Sequence, residues 1–136
     1  MLRQTTHSPE QVFSDADNDI DDILKTADFL WQKALLERRL WPDIESEAAG
    51  VACAFMTRAR REGLDIDVSA FAALLGKTRP TVHRMLGRWQ ALGYCELRRA
   101  GRRTLVFGSP KMLSLCSQYL DTLTTLRAGN LSRAAE

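Results

Sequence analysis

The sequence predicts a mainly α-helical fold that carries one small β-hairpin, and three observations support this class. Apolar residues recur at three- and four-residue spacing over most of the 136 residues. The stretch 68–89 has the pattern of two helices joined by a tight glycine turn. Two short runs of strand-forming residues follow within 94–107, with a glycine between them. The length suits one domain with its own core.

Two amphipathic helices are predicted in the N-terminal part, after a flexible acidic segment at residues 1–18. The first runs from about residue 19 to 39. Trp41-Pro42 ends it, because proline disfavours the helical conformation in the residue before it. The second is expected from Pro42 or Asp43 to Arg61, since proline is tolerated in a first helical turn. Gly63 suits the left-handed position that follows a helix.

The next two helices have the spacing of a helix-turn-helix. The third helix is predicted over Val68–Leu75, and Thr78 is expected to cap the fourth. Two helices that cross at close range need a small residue at the crossing, glycine in the turn and an apolar residue facing back. Ala72, Gly76 and Val82 meet these requirements.

A β-hairpin and a last helix complete the predicted order. The strands are expected over Tyr94–Arg98 and Thr104–Phe107, with Ala100-Gly101 at the tip between them. A hairpin directly after a helix-turn-helix forms a wing, so the predicted fold is a winged helix-turn-helix with flanking N- and C-terminal helices. The last helix is expected over Pro110–Leu126, and a flexible tail over residues 128–136.

Positive charge is concentrated in the predicted helix-turn-helix and wing. The chain as a whole has a net charge of +2. Residues 77–103 carry eight basic side chains against one acidic, a net of +7, whereas residues 1–50 carry five against eleven, a net of −6. Such a local excess is what contacts with phosphates need, so double-stranded DNA is the expected partner. Non-specific RNA binding is the alternative use of the same charge.

The candidate DNA-contacting residues of the fourth helix lie at its start and on the side opposite its apolar stripe. They are Lys77, Thr78, Arg79, Thr81, His83, Arg84 and Arg88. Arginine can hold a guanine edge with two hydrogen bonds, and residues near the start of a recognition helix reach deepest into the groove. Arg79, Thr81 and Arg84 are therefore expected to contact bases, and Arg88 a phosphate.

The candidate residues of the wing are four arginines around its tip, Arg98, Arg99, Arg102 and Arg103. Such a tip can lie along the DNA backbone or enter the minor groove, where negative potential attracts arginine.

These motifs resemble two families of regulators. Thr78–Leu86, TRPTVHRML, resembles the recognition helix of the Crp–Fnr family, with its pattern of roughly S-R-x-T-V-x-R-x-L. The layout of the whole chain resembles the MarR family, although many members have two helices after the wing and this chain has room for one. Gly101-Arg102-Arg103 and Ser109-Pro110-Lys111 stand where members often carry D-R-R and T-P-x-G. The resemblance implies that Arg102 or Arg103 enters the minor groove.

The resemblance also implies a homodimer packed through the N- and C-terminal helices. A single module has few contacts, and a two-fold dimer reads a palindromic site. The predicted organisation is one domain, 19–127, with dimerisation helices at 19–40 and 110–127 around a DNA-binding core at 64–108. Trp31 and Leu35 are the candidate interface residues on the first helix, and core packing is the alternative role of the last helix's apolar surface.

Two hypotheses for function follow. The first is a sequence-specific transcriptional regulator, with a small-molecule effector as an open question, because side chains such as Trp31 and Phe55 are equally consistent with a pocket and with the core. The alternative is a winged-helix module for protein interaction without DNA binding. An enzyme is not expected, because no phosphate loop and no Cys–His pair of catalytic type is present.

The sequence predicts no redox, metal or membrane function. The three cysteines, Cys53, Cys95 and Cys116, are predicted to be buried reduced thiols, with a redox-sensing thiol as the alternative. Two histidines and no CxxC motif argue against a metal site, and no cofactor is expected. No long apolar run or signal-peptide pattern is present, so a cytoplasmic protein without membrane contact is expected.

Overall fold

The computed structural model describes residues 17–135, and within them the chain forms five helices and one two-stranded sheet. In chain order the elements are α1 (Asp17–Leu40), α2 (Ser46–Glu62), α3 (Val68–Leu75), α4 (Arg79–Ala91), β1 (Cys95–Ala100), β2 (Arg103–Gly108) and α5 (Pro110–Ala135). The mainly helical class with a small hairpin is therefore confirmed. The flexible segment predicted for residues 1–18 lies almost entirely outside the described residues.

Two predicted helix bounds differ from those of the structure by three residues or more. The second helix begins at Ser46 rather than at Pro42 or Asp43, and a turn occupies the preceding residues. The Asp43 carboxylate accepts a hydrogen bond of 2.6 Å from the Tyr94 hydroxyl, a distant contact that holds this turn. The helical backbone of α5 continues to Ala135, nine residues past the predicted end.

The core joins α1, α2 and α5 to the helix-turn-helix and the sheet. The two strands pair with each other in antiparallel orientation, with Ala100 opposite Arg103 at the tip and Cys95 opposite Gly108 at the base. The largest fully buried side chains come from α2, α3, α4, α5 and the turn before α2: Trp41, Trp89, Phe71, Leu86, Met112, Val82 and Cys53. This shared core fixes the position of α4 against the helices on both sides of it in sequence.

A buried charged group lies between α1, α2 and α5. Glu37 is 4% exposed, and its carboxylate accepts hydrogen bonds from the Tyr119 hydroxyl and from the Lys33 ammonium, the latter at 2.6 Å. A Cβ atom at Gly50 would lie 2.7 Å from both Glu37 Oε2 and the Tyr119 hydroxyl oxygen, so glycine permits this close packing. Burial and the bond to Glu37 raise the pKa of Tyr119.

The expectation of three reduced thiols is wrong for two of the cysteines. Cys53 on α2 and Cys116 on α5 form a disulfide with their Cα atoms 5.4 Å apart. They are 63 residues apart in sequence, and only the packing of α2 against α5 brings them together. Cys95 is a buried free thiol that donates to the Leu86 carbonyl, and burial raises its pKa to about 11.

Among the described residues, none of the helices combines the length and the apolar character needed to cross a membrane. Over the same part of the chain, no group of three or more His, Cys, Asp or Glu side chains could hold a metal ion.

Candidate nucleic-acid interface

The helix-turn-helix is built from the local signals that the sequence contains. Asp67 caps α3 by accepting a hydrogen bond of 2.8 Å from the Ala70 amide. Gly76 ends α3 with φ of 65°, a left-handed conformation that favours glycine. Thr78 caps α4 by accepting from the Thr81 amide at 3.4 Å. The two predicted helices and the turn between them are confirmed.

One face of α4 packs on the core and the opposite face is exposed. Val82, Met85, Leu86 and Trp89 are buried. The predicted contact residues on this helix are all exposed: Arg79, Thr81, His83, Arg84 and Arg88, together with Lys77 and Thr78 just before it. Within the described residues, the side chains of Lys77, Arg79 and Arg84 have no hydrogen-bond or ion-pair partner. The helix can therefore offer these cations to an anionic partner.

Arg88 differs from the other cations of α4, because it already has an acidic partner. Its guanidinium donates to the Glu45 carboxylate, which also accepts a 2.9 Å hydrogen bond from the indole N–H of Trp89. Burial alone would raise the pKa of Glu45, but the bonds from Arg88 and Trp89 outweigh it and hold the pKa below its usual value. Glu45 thus attaches α4 to the start of α2, and Arg88 is less available for a phosphate.

The wing tip is a tight two-residue turn. Gly101 has a φ of 64°, as the first central position of this type of hairpin turn requires, and Arg102 is exposed beside it. Arg98 lies further down β1, where its guanidinium contacts Glu96 at 3.2 Å and the Phe107 ring at 4.6 Å. Of the two, Arg98 is thus held by neighbouring side chains of the hairpin, whereas Arg102 lies exposed at its tip.

Two further arginines of the wing, in addition to Arg98, are held by neighbouring side chains. Arg99 donates to the Thr104 hydroxyl across the hairpin at 3.3 Å. Arg103 donates to the Asp67 carboxylate at 2.9 Å. The hydrogen bond from the Ala70 amide lowers the pKa of Asp67, burial opposes it, and Arg103 lowers it further.

Asp67 therefore connects α3 to the wing. Its carboxylate caps α3 and pairs with Arg103, and its backbone forms an isolated bridge with Leu105 of β2. The neighbouring Ile66 carbonyl accepts a 2.8 Å hydrogen bond from the Val106 amide. These contacts orient the wing relative to α4.

Between the wing and α4 lies an open cleft of about 430 Å³, which we call the wing cleft. It is lined by Asp67, Val68, Ser69, Arg79, Pro80, His83, Arg99, Arg102, Arg103 and Thr104. Four guanidinium groups line it against one carboxylate, so the cleft has the charge to receive an anionic group.

The structure gives different surroundings to the two side chains for which the sequence leaves pocket and core open. Trp31 on α1 is 64% exposed. Phe55 on α2 packs edge-on against Phe71 at 5.4 Å. Phe55 is therefore part of the core packing, whereas Trp31 is exposed on α1. A different open cleft of about 510 Å³ lies between α2, α3 and α4, lined in part by Glu45, Leu74 and Met85.

Sequence reasoning missed Glu45 and Asp67, the two acids that orient this site. Asp67 could have been found, since an aspartate just before a short apolar helix is a capping signal. Glu45 has no such local signal, because its partners lie 43 and 44 residues away.

Comparison with solved structures identifies the fold. The chain matches the crystal structure of MepR, a transcription regulator of the Staphylococcus aureus multidrug efflux pump MepA. The TM-score is 0.64 at 13% identity, covering 93% of this chain and 84% of that one. It also matches the S. aureus MepR–DNA complex, with a TM-score of 0.58 at 16% identity and 82% of each chain covered. No family model and no curated protein matches this sequence.

At this identity the likeness concerns the fold, and it confirms a MarR-like winged helix-turn-helix.

Replacing Asp67 with asparagine should test how the wing is held. Asparagine caps a helix as well as aspartate does, so α3 should remain intact. The variant loses the ion pair and releases Arg103. If the released guanidinium turns to a DNA phosphate, the slope of log affinity against log salt should steepen by about 0.9. Fluorescence anisotropy of a labelled duplex across a salt series measures this slope.

The matched controls are single alanine variants of the two neighbouring wing arginines. Arg102→Ala should flatten the slope by about 0.9 for one lost phosphate contact. Arg103→Ala should change it little, because that side chain is already paired with Asp67. Equal slopes for Arg102→Ala and the unchanged chain would contradict the assignment of the wing tip to DNA.

Proposed function

We propose that this protein is a sequence-specific DNA-binding transcriptional regulator that acts as a homodimer on a palindromic operator. The observation that carries the proposal is the exposed face of α4. Within the described residues, Lys77, Arg79 and Arg84 of this face form no hydrogen bond or ion pair, and they lie beside or in the cationic wing cleft. A helix with this face fits the major groove, and the wing beside it reaches the backbone or the adjacent minor groove.

The residues have separate roles in this proposal. Arg79, Thr81 and Arg84 project from the first two turns of α4 and read base edges. Lys77 and Thr78, at the start of the helix, contact the phosphate backbone together with His83. On the wing, Arg102 enters the minor groove while Arg99 and Arg103 orient the hairpin.

The homodimer is supported by an apolar surface on α1. Several large side chains there are exposed in the single chain: Ile23, Leu24, Leu30, Trp31 and Leu35. A contiguous exposed apolar face on a long helix is typical of a protein interface. Because one winged helix makes few contacts, a second copy on this face would supply the second half-site. MepR, with the same fold, has been solved with DNA.

A small-molecule effector is a further part of the proposal, bound in the cleft between α2, α3 and α4. This cleft includes Glu45, so a ligand there would contact the group that holds Arg88 and Trp89. We expect the regulator to act in the cytoplasm and to carry out no catalysis.

The test is selection of bound duplexes from a random DNA pool, followed by sedimentation of the protein with the enriched duplex. The expected result is an enriched palindrome bound by two chains, with affinity that falls steeply as salt rises. A pool without enrichment and binding that is insensitive to salt would contradict the proposal and favour a protein-interaction module.

Replacing Arg84 with alanine should weaken binding of the enriched duplex by about 1–3 kcal/mol and relax the preference at one base position. The matched control is Arg58→Ala, an exposed arginine on α2 outside the wing cleft, which should leave affinity and preference unchanged. A loss of equal size on all sequences would instead assign Arg84 to a phosphate. Competition with duplexes mutated at single positions distinguishes these results.

A further inference from the structure

The Cys53–Cys116 disulfide lies in the wall of an open cleft. Cys53 is fully buried and Cys116 is 6% exposed. An open cleft of about 250 Å³ is lined by both cysteines together with Thr57, Arg60 and Ser117, and we call it the sulfur cleft. Both cysteines are thus buried, and the sulfur cleft is the side from which a small molecule approaches them.

The environment of the bond suits thiol–disulfide exchange. A thiolate is the attacking species in this reaction, and a neighbouring arginine stabilises a thiolate. Arg60 is exposed at the rim of the sulfur cleft. Disulfides in proteins of reducing compartments are mostly transient or redox-sensing rather than structural.

The disulfide is also connected to α4, through the contacts that α2 makes with that helix. Cys53 is on α2 two helical turns after Glu45, which bonds to Arg88 and Trp89 of α4. Its neighbour Ala52 is buried in the core beside Leu86 and Trp89. When the bond opens, the two sulfurs separate to van der Waals contact inside the packed core, and we expect α2 and α5 to adjust and Glu45 to move with α2.

We propose that the Cys53–Cys116 pair is a redox site, reduced by a small dithiol through the sulfur cleft, and that its oxidised form holds α4 in the DNA-binding position. The existence of the redox site does not depend on the proposed function, but its effect on DNA binding does. The partner chemistry is a dithiol as reductant and a hydroperoxide as oxidant.

The reduction balances as an exchange of two electrons. A thiolate of the dithiol attacks the more accessible Cys116 sulfur, the protein S–S bond breaks and Cys53 leaves as a thiolate that takes up a proton. The second thiol of the reductant then closes its own disulfide, and Cys116 leaves as a thiolate that is also protonated.

Reoxidation takes the reverse course through a different reagent. The hydroperoxide converts one thiolate to a sulfenic acid and departs as the alcohol. The other thiol then displaces water and re-forms the disulfide.

The redox site is tested without DNA. The Cys95→Ala variant, which retains only the pair, is treated with dithiothreitol under native conditions, alkylated and weighed by mass spectrometry. The expected result is two alkyl groups with dithiothreitol and none without it, and closure of the bond by cumene hydroperoxide. A bond that resists dithiothreitol until denaturant is added would overturn the proposal.

The coupling to α4 is tested on the duplex selected for the protein. The reduced Cys95→Ala variant should bind about tenfold more weakly than the oxidised form, a usual size for coupling between two sites. The Cys53→Ala/Cys95→Ala/Cys116→Ala and Cys53→Ser/Cys95→Ala/Cys116→Ser variants, checked for helical content, should no longer respond to either reagent.

The outcomes separate the two proposals. Equal affinity of the oxidised and reduced forms would overturn the coupling while the proposed DNA-binding function stands. Absence of DNA binding in both forms would overturn the proposed function, and the mass shifts would still decide whether the pair is a redox site.

Discussion

Replacing Trp89 with alanine should lower the free energy of unfolding by about 3–5 kcal/mol, the usual cost of deleting a large buried aromatic side chain. Trp89 is 1% exposed at the centre of the core that α4 shares with α2 and β1. Its truncation removes this contact area and also frees one oxygen of Glu45 from its indole partner. DNA binding should fall with it, because the truncated side chain no longer fixes the orientation of α4.

Trp89→Phe separates packing from hydrogen bonding at this site. Phenylalanine keeps most of the ring but cannot donate to Glu45, so the expected loss is about 1–3 kcal/mol. Leu74→Ala is the control for an exposed apolar side chain, since Leu74 is 45% exposed, and it should change stability by less than about 0.5 kcal/mol.

Urea denaturation followed by circular dichroism measures all three variants. Equal losses for Trp89→Ala and Trp89→Phe would mean that the hydrogen bond to Glu45, rather than the packed ring, stabilises this part of the core. Stability of Trp89→Ala within 1 kcal/mol of the unchanged chain would contradict its central place in the core.

The parts of the fold that the sequence predicted well are those with local signals. Thr78 is a threonine before a helix, and Gly76 is a glycine after one. Each signal lies within a few residues of the structure that it specifies, so the helix-turn-helix could be located by spacing alone. The hairpin followed from Gly101 between two strand-forming runs in the same way.

The parts that could not be predicted depend on contacts between distant residues. Nothing near Arg88 or Arg103 in sequence indicates that Glu45 and Asp67 pair with them, so both arginines resembled free DNA contacts. The disulfide was missed because helical periodicity gives the buried face of α2 and of α5, but not which residues meet across it. A partner that is distant in sequence can thus give a residue a different role from the one that the local sequence pattern predicts.

Replacing Tyr119 with phenylalanine should destabilise the protein by about 1.5–3 kcal/mol, the range for a hydrogen bond to a charged group. The phenol ring stays against Trp41, with which it makes an edge contact at 5.3 Å, so the packing is preserved. What is lost is one of the donors to the buried Glu37 carboxylate. The Glu37 carboxylate then remains buried with Lys33 as its principal partner.

Tyr94→Phe is the matched control, because it removes the same atom from a tyrosine that also donates to a carboxylate. Its acceptor Asp43 is exposed, and water can replace the lost bond there. The expected loss is therefore smaller, about 0.5–1.5 kcal/mol. Similar losses in the two variants would contradict the importance of burial at Glu37.

Because of the same two tyrosines, the stability of the fold should depend on pH in the alkaline range. Burial and the bond to Asp43 raise the pKa of Tyr94 to about 12, and burial and Glu37 raise that of Tyr119 as well. An unfolded tyrosine titrates near pH 10, so the unfolded chain loses these protons first as pH rises. The stabilisation is complete below about pH 10 and is lost as pH rises from there through the folded pKa values. Melting temperatures from pH 8 to 12 should fall less steeply in Tyr119→Phe than in the unchanged chain, since that variant has no proton to lose at this position.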